Sequence, residues 1–127
     1  MAMQADTRPP VAIGHATLRV TDLTRATEYF VSLGMRFIHQ SDTITVLELR
    51  GGTHVVLRPT DEPIPPRTKA PFDLMVDDVE ATRRAYMDLG LQPSEIESGT
   101  VHRWFTLVGP DAYELTITSS HAGKRAV

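Results

Sequence analysis

Apolar and polar residues along this chain follow one plan twice. Val11–Val20 alternates as a half-buried strand does, with Ala16, Leu18 and Val20 on one face. Asp22 then offers a side-chain acceptor to the free N–H groups of a helix start. Leu23, Ala26, Phe30 and Leu33 recur at helical spacing, and Gly34 supplies the stop. In the second stretch Leu74 and Val76 share a strand face and Asp78 stands in the capping position. Val79, Thr82, Tyr86 and Leu89 form the helical stripe ahead of Gly90. An offset of 56 carries Leu18 to Leu74, Val20 to Val76, Asp22 to Asp78, Phe30 to Tyr86, Leu33 to Leu89 and Gly34 to Gly90. Positions with such distinct physical jobs recurring at one offset identify an internal repeat.

Three more strands are predicted after each helix. In the first half they are Met35–Gln40, Thr43–Arg50 and Thr53–Pro59, turned at Ser41-Asp42 and Gly51-Gly52. In the second they are Leu91–Ile96, Val101–Val108 and Ala112–Ser119, turned at Glu97–Thr100 and Gly109–Asp111. The order βαβββ, twice over, predicts an α+β fold of two four-stranded sheets. Each buries one face under a helix, and the other faces curve together around a shared cavity. Thr60–Ala70, with three prolines and four charges, reads as a linker unable to continue a strand ladder. The expected organisation is an N-terminal arm over 1–10, one domain over 11–119 and a frayed tail over 120–127. Within the domain, a first module (11–59) and a second (71–119) flank the linker (60–70).

Composition narrows the function classes. Hydrophobic residues make up 41% of the 127 and charged residues 23%, an ordinary balance for a globular chain. The net charge of −3, without a basic stripe, argues against nucleic acid as a partner. There is no cysteine, which removes disulfides, thiolate metal sites and a thiol nucleophile, and suits a reducing cytoplasm. No apolar run approaches the roughly 20 residues that span a bilayer. The first ten residues lack the apolar core of a secretion signal. Phosphate-binding glycine loops, serine nucleophile elbows and His-Glu-x-x-His helices are also missing.

Ile13-Gly-His-Ala-Thr-Leu-Arg-Val-Thr-Asp-Leu23, followed by Tyr29-Phe30 and Leu33-Gly34-Met35, resembles the opening of a vicinal-oxygen-chelate module. That superfamily includes glyoxalases, bleomycin-resistance proteins and ring-cleaving dioxygenases. Gly109-Pro-Asp-Ala-Tyr113 resembles the turn before the family's last strand, so the resemblance covers about Val11–Ser119. It implies a cavity in which four inward side chains, usually His, Glu or Gln, hold a divalent cation that polarises substrate oxygens. Carried over position by position, the ligand set is His15, Leu57, Pro71 and Thr116, of which only His15 matches. One imidazole among Leu, Pro and Thr does not hold such a cation, so no cofactor is expected. Two alternatives remain. One is a register change of one or two residues in the last strands that brings His54 or Glu114 inward. The other is a displaced site built from His15, Asp73 and Glu114, since strand parity puts Asp73 on the same face as Pro71 and Glu114 on the same face as Thr116.

Each candidate residue has two readings. His15 is a base or hydrogen-bond donor in the cavity, or a packing histidine. Glu114 is a proton-transfer partner, or a strand-end carboxylate facing water. Arg19 and Asp73 fix a polar ligand, or pair with each other. Thr17 and Thr116 add hydroxyls to the same wall, and Trp104 offers an apolar wall for a planar ligand. His39, His54 and His121 carry no assigned role.

Two functions remain open. In one, the protein sequesters a small amphipathic or aromatic molecule, as drug-binding members of the family do. In the other, it is a glyoxalase-like lyase or isomerase using His15 with Glu114 or Asp73. The resemblance also implies a homodimer.

Overall fold

The computed structural model describes residues 5–120 and 122–127. Strand β1 (His15–Val20) leads through helix α1 (Leu23–Ser32) to β2 (Arg36–Gln40), β3 (Thr45–Glu48) and β4 (His54–Pro59). The second half repeats the order with β5 (Leu74–Val76), α2 (Val79–Asp88), β6 (Glu97–Ser98), β7 (Arg103–Val108) and β8 (Glu114–Ser119). The strands form two sheets, ordered β1-β4-β3-β2 and β5-β8-β7-β6. In each, the first and last strands of the half pair in parallel and the remaining pairs are antiparallel. The architecture is the predicted α+β fold with two mixed sheets.

Both helices start where the sequence places their caps. Asp22 accepts from the Arg25 N–H at 3.0 Å, and Asp78 accepts from the Ala81 N–H at 2.9 Å. Each satisfies one of the donors that a helix start leaves free. Beyond the helices Gly34 and Gly90 take φ of 119° and 85°, where a side chain would be strained. One hydrophobic core runs through both halves. Leu18, Val20, Phe30, Leu47 and Leu57 from the first meet Tyr86, Phe105, Leu115 and Ile117 from the second.

Several boundaries differ from the pattern. Regular pairing begins at His15 rather than Val11, and Val11 and Ile13 are 81% and 75% exposed. Leu91–Ile96 is not a strand: Pro93 has no N–H to give, and a single backbone bond, Ser94 N–H to the Thr106 carbonyl, ties the segment to β7. The short β6 falls instead at Glu97–Ser98, which the pattern assigns to a turn. The linker does join a ladder at its end. Arg67 donates to the Ala112 carbonyl, Ala70 to the Glu114 carbonyl, and Glu114 back to Thr68. This is possible because Pro63, Pro65 and Pro66 all precede Arg67, leaving its successors their N–H groups. Of the predicted arm and tail, Met1–Gln4 and His121 lie outside the described residues. Ala122–Val127 lies with Thr7 and Pro9 around a hollow of about 530 Å³. Among the described residues no helix is long and apolar enough to cross a membrane.

All three tyrosines tie the halves together. The Tyr86 hydroxyl donates to the Leu33 carbonyl and the Tyr113 hydroxyl to the Arg19 carbonyl, both at 2.8 Å. The Tyr29 ring lies against Gly109, where a Cβ would stand 3.4 Å from it. Burial raises the pKa of each phenol, that of Tyr29 to about 12. An unfolded tyrosine loses its proton near 10, so above that pH the unfolded chain binds fewer protons than the folded one. Stability is therefore expected to be flat in this respect below pH 9 and to fall as pH rises through 10 to 12. Urea midpoints measured at pH 8 and pH 10.5 check this, and an unchanged midpoint would contradict it.

Candidate functional site

The parallel pairing of β1 with β4 decides which side chains share the face turned away from α1. His15 stands beside His54, Thr17 beside Val56, and Arg19 beside Arg58. Leu18, Val20, Val55 and Leu57 alternate with them into the core. From β3, Val46 joins Val56 and Glu48 joins His54, and β2 places Arg36 beside Glu48.

One end of this face is a polar chain. The Arg36 guanidinium donates to Glu48 at 2.8 Å, and the other Glu48 oxygen lies 3.4 Å from Nε2 of His54. The His54 ring stacks on His15, with centroids 5.7 Å apart and planes 24° apart. Glu48 thus lies between Arg36 and the His54 imidazole at ion-pair distance, without a hydrogen bond to the ring, while His15 is exposed at the end of the chain. Such an arrangement can donate or accept hydrogen bonds and move a proton.

The second sheet presents a matching face. There Trp104 stands beside Thr118, Thr106 beside Thr116 and Val108 beside Glu114, while Phe105, Leu107, Leu115 and Ile117 are buried on the opposite side. Phe105 is therefore core and Trp104 is not. The indole lies over the turn at Gly99, where an added Cβ would come within 3.0 Å of its ring. Glu114 is held 3.2 Å from the Arg67 guanidinium, and its side chain is 22% exposed.

The predicted site residues are thus divided between two sheet faces. His15, Thr17 and Arg19 lie on the first, and Glu114, Thr116 and Trp104 on the second. Asp73 is exposed just ahead of β5 and makes no ion pair with Arg19, contrary to the pairing expected. The chain is irregular there. Lys69 and Leu74 pair with Glu114 and Ile117, so five steps on one strand match three on the other, and strand parity does not carry through Pro71. Glu48, Arg36 and Arg58 belong to the first face although nothing in the sequence marks them, and His54, which the sequence offers only through a register change, joins them. Their place follows from cross-strand register, which has no local signal. Neither the hollow at the termini nor a cleft of about 390 Å³ lined by Thr21, Arg25, Tyr29 and Asp111 is bordered by a predicted site residue.

Register also corrects one position of the expected cation site. Leu18 pairs with Leu57 and its repeat partner Leu74 pairs with Ile117. Leu57 is therefore the counterpart of Ile117, and the counterpart of Thr116 is Val56. Leu57 itself is fully buried in the core. The four positions are then His15, Val56, Pro71 and Thr116, a donor set that does not fit a Zn²⁺, Ni²⁺ or Fe²⁺ centre. Nor do other side chains assemble a substitute. Among the described residues no three His, Asp or Glu groups are placed to hold an ion, and Glu114 is on the other sheet from the stacked imidazoles.

The sequence matches no protein-family model and no curated protein. The fold does match solved structures. One is lactoylglutathione lyase from Agrobacterium tumefaciens, 15% identical with a TM-score of 0.73, covering 92% of this chain and 99% of that one. A fosfomycin resistance protein from Listeria monocytogenes is 16% identical with a TM-score of 0.71, over 91% and 98% of the two chains. A bleomycin resistance determinant encoded on transposon Tn5 is 16% identical with a TM-score of 0.67, over 87% and 98%. The chain therefore has the fold of the glyoxalase, bleomycin-resistance and dioxygenase proteins.

The donor set gives a direct expectation for metals. Chelator-treated protein titrated calorimetrically with Zn²⁺, Ni²⁺, Mn²⁺ and Fe²⁺ should show no stoichiometric complex at micromolar concentrations. A one-to-one complex abolished by His15→Ala would mean that the imidazole pair recruits ligands this arrangement keeps apart.

Proposed function

We propose that the chain is a vicinal-oxygen-chelate protein with a degenerate cation site, and that it sequesters a small amphipathic or aromatic molecule against its exposed sheet faces. The observation that carries this reading is the replacement of three donor positions by Val56, Pro71 and Thr116 on faces that keep polar anchors and an indole. Binding needs an apolar wall and a few fixed polar groups, and these faces supply both without a cation. Similarity in fold to a bleomycin resistance determinant supports the reading. Lack of cysteine supports a cytoplasmic setting.

A second reading has one observation in its favour, the stacked pair of imidazoles with its carboxylate. In that reading the protein is a glyoxalase-like lyase or isomerase. His15 moves a proton between substrate atoms with Glu114 or Asp73, joined by His54, which lies beside Glu48.

The single tryptophan makes the two separable, because Trp104 emission reports occupancy of the second face. Titration with a neutral aromatic amphiphile, 4-nitrobenzyl alcohol, is expected to give a saturable change in emission, with affinity kept within about threefold in His15→Ala. No consumption of lactoylglutathione is expected. Turnover of that compound, lost in His15→Ala, would transfer the assignment to the second reading.

We also propose a homodimer. His15, Thr17 and Arg19 are open to solvent in the single chain, and a second copy closing over them would desolvate a bound ligand. Sedimentation velocity at micromolar protein should give a mass near twice 14.1 kDa. A sole species at the single-chain mass would rule the dimer out.

A further inference from the structure

The end of the first face opposite the imidazoles carries two arginines side by side. Arg19 and Arg58 are partners in the parallel pairing of β1 and β4, so both side chains leave the sheet on the same side. Like charges placed directly opposite on a sheet oppose one another, and burial does not force them here, since both residues are exposed.

They combine this side-by-side placement with a lack of counter-ions. Arg36, Arg50, Arg67, Arg83 and Arg103 each stand within 4 Å of a carboxylate on another segment. Neither Arg19 nor Arg58 has an ion pair among the described residues. The Asp111 carboxylate, which acts on the Tyr113 phenol in the opposite sense to Arg19, accepts instead from the backbone N–H and hydroxyl of Thr21. Two guanidinium groups thus face solvent with their donors unassigned. Between them and the imidazoles lie Thr17, Val56 and Val46, an apolar strip with one hydroxyl. Four residues of strand separate Arg19 from His15, about 13 Å along the face.

We infer that Arg19 and Arg58 form an oxyanion clamp, and that the ligand of this face carries a carboxylate or phosphate group held by both. Guanidinium groups suit this role because their N–H donors match oxyanions in pairs and they stay charged at every relevant pH. The apolar body of the ligand then lies over Val56 and Val46, with its far end towards His15 and His54. This deepens the proposed binding function by naming the ligand's charge, and it rests on that reading for the ligand's apolar part only.

The test has two arms. In the first, Nε–Hε resonances of the arginines are followed by NMR as inorganic phosphate is added at constant ionic strength. Saturable shifts are expected at Arg19 and Arg58, assigned through Arg19→Lys and Arg58→Lys, and not at Arg25 or Arg84, which are exposed and also lack carboxylate partners. Equal shifts at all four, or none at the pair, would overturn the clamp. In the second arm, 2-naphthoate, 2-naphthyl phosphate, 2-naphthamide and 2-naphthylmethylammonium are titrated by calorimetry. The two anions should bind roughly tenfold to a hundredfold more tightly than the amide, and the cation most weakly. Arg19→Gln with Arg58→Gln should erase that preference and leave the melting temperature unchanged or raised, since a like-charge contact is removed. An unaltered preference in the double variant would refute the inference. Phosphate binding without any naphthalene binding would keep the clamp and remove the aromatic-ligand reading. Comparison of naphthoate with naphthyl phosphate tells a carboxylate ligand from a phosphorylated one.

Discussion

Everything on the candidate face depends on the parallel register of β1 and β4. Because side chains alternate with a period of two, matching Leu18 to Leu57 commits the whole of both strands at once. The core requires that match, since a slip by one residue would bring His54, Val56 and Arg58 under α1 and expose Val55 and Leu57. Loss of burial at two such aliphatic side chains costs about 3–6 kcal/mol before any charge is desolvated. The same constraint, set by hydrophobic burial, places His15 on His54 and Arg19 beside Arg58. The chemistry of the exposed face is therefore fixed from behind, by the core.

The second half shows what happens where that constraint relaxes. β5 has only three residues in its ladder with β8, and Pro71–Asp73 loops out before it. β6 is a two-residue pairing, and Pro93 keeps the preceding segment out of the sheet. Only β7 and β8 form a long pair, and they carry Trp104, Thr116 and Glu114. The inter-half contacts compensate in part. Tyr86 and Tyr113 each reach across to a backbone carbonyl of the first half, and Asp111 takes the N–H and hydroxyl of Thr21. The repeat is thus asymmetric in the chemistry of its faces as well as in length: a charged, imidazole-bearing face in one half, and a face of hydroxyls, an indole and the salt-bridged Glu114 in the other.

The first face has chemically distinct ends. An ordered chain of Arg36, Glu48, His54 and His15 at one end and a pair of arginines at the other leave an apolar strip between. Neither end depends on a cation, since each polar group is positioned by its strand or by a neighbouring side chain. Fold similarity at 15–16% identity extends to the backbone alone and does not carry over to the side chains on these faces.

The sequence by itself determined the repeat, the two capped helices and the α+β architecture. Periodicity and caps are local properties, and Asp22, Gly34, Asp78 and Gly90 act within a few residues of their positions. It also showed that the positions aligned with the family's ligands, Pro71 and Thr116 among them, are poor in donors, and it left open a displaced site built from His15, Asp73 and Glu114. Tertiary structure alone decided which residues meet. Leu57 gave way to Val56 as the inward position, His54 and Glu48 joined His15, and Glu114 went to Arg67. Asp73 was left apart from Arg19, and Arg58 came to stand beside Arg19. Each of these follows from pairing between strands distant in the chain, where the energy lies in the buried side of the sheet and the sequence around each residue carries no trace of its neighbour.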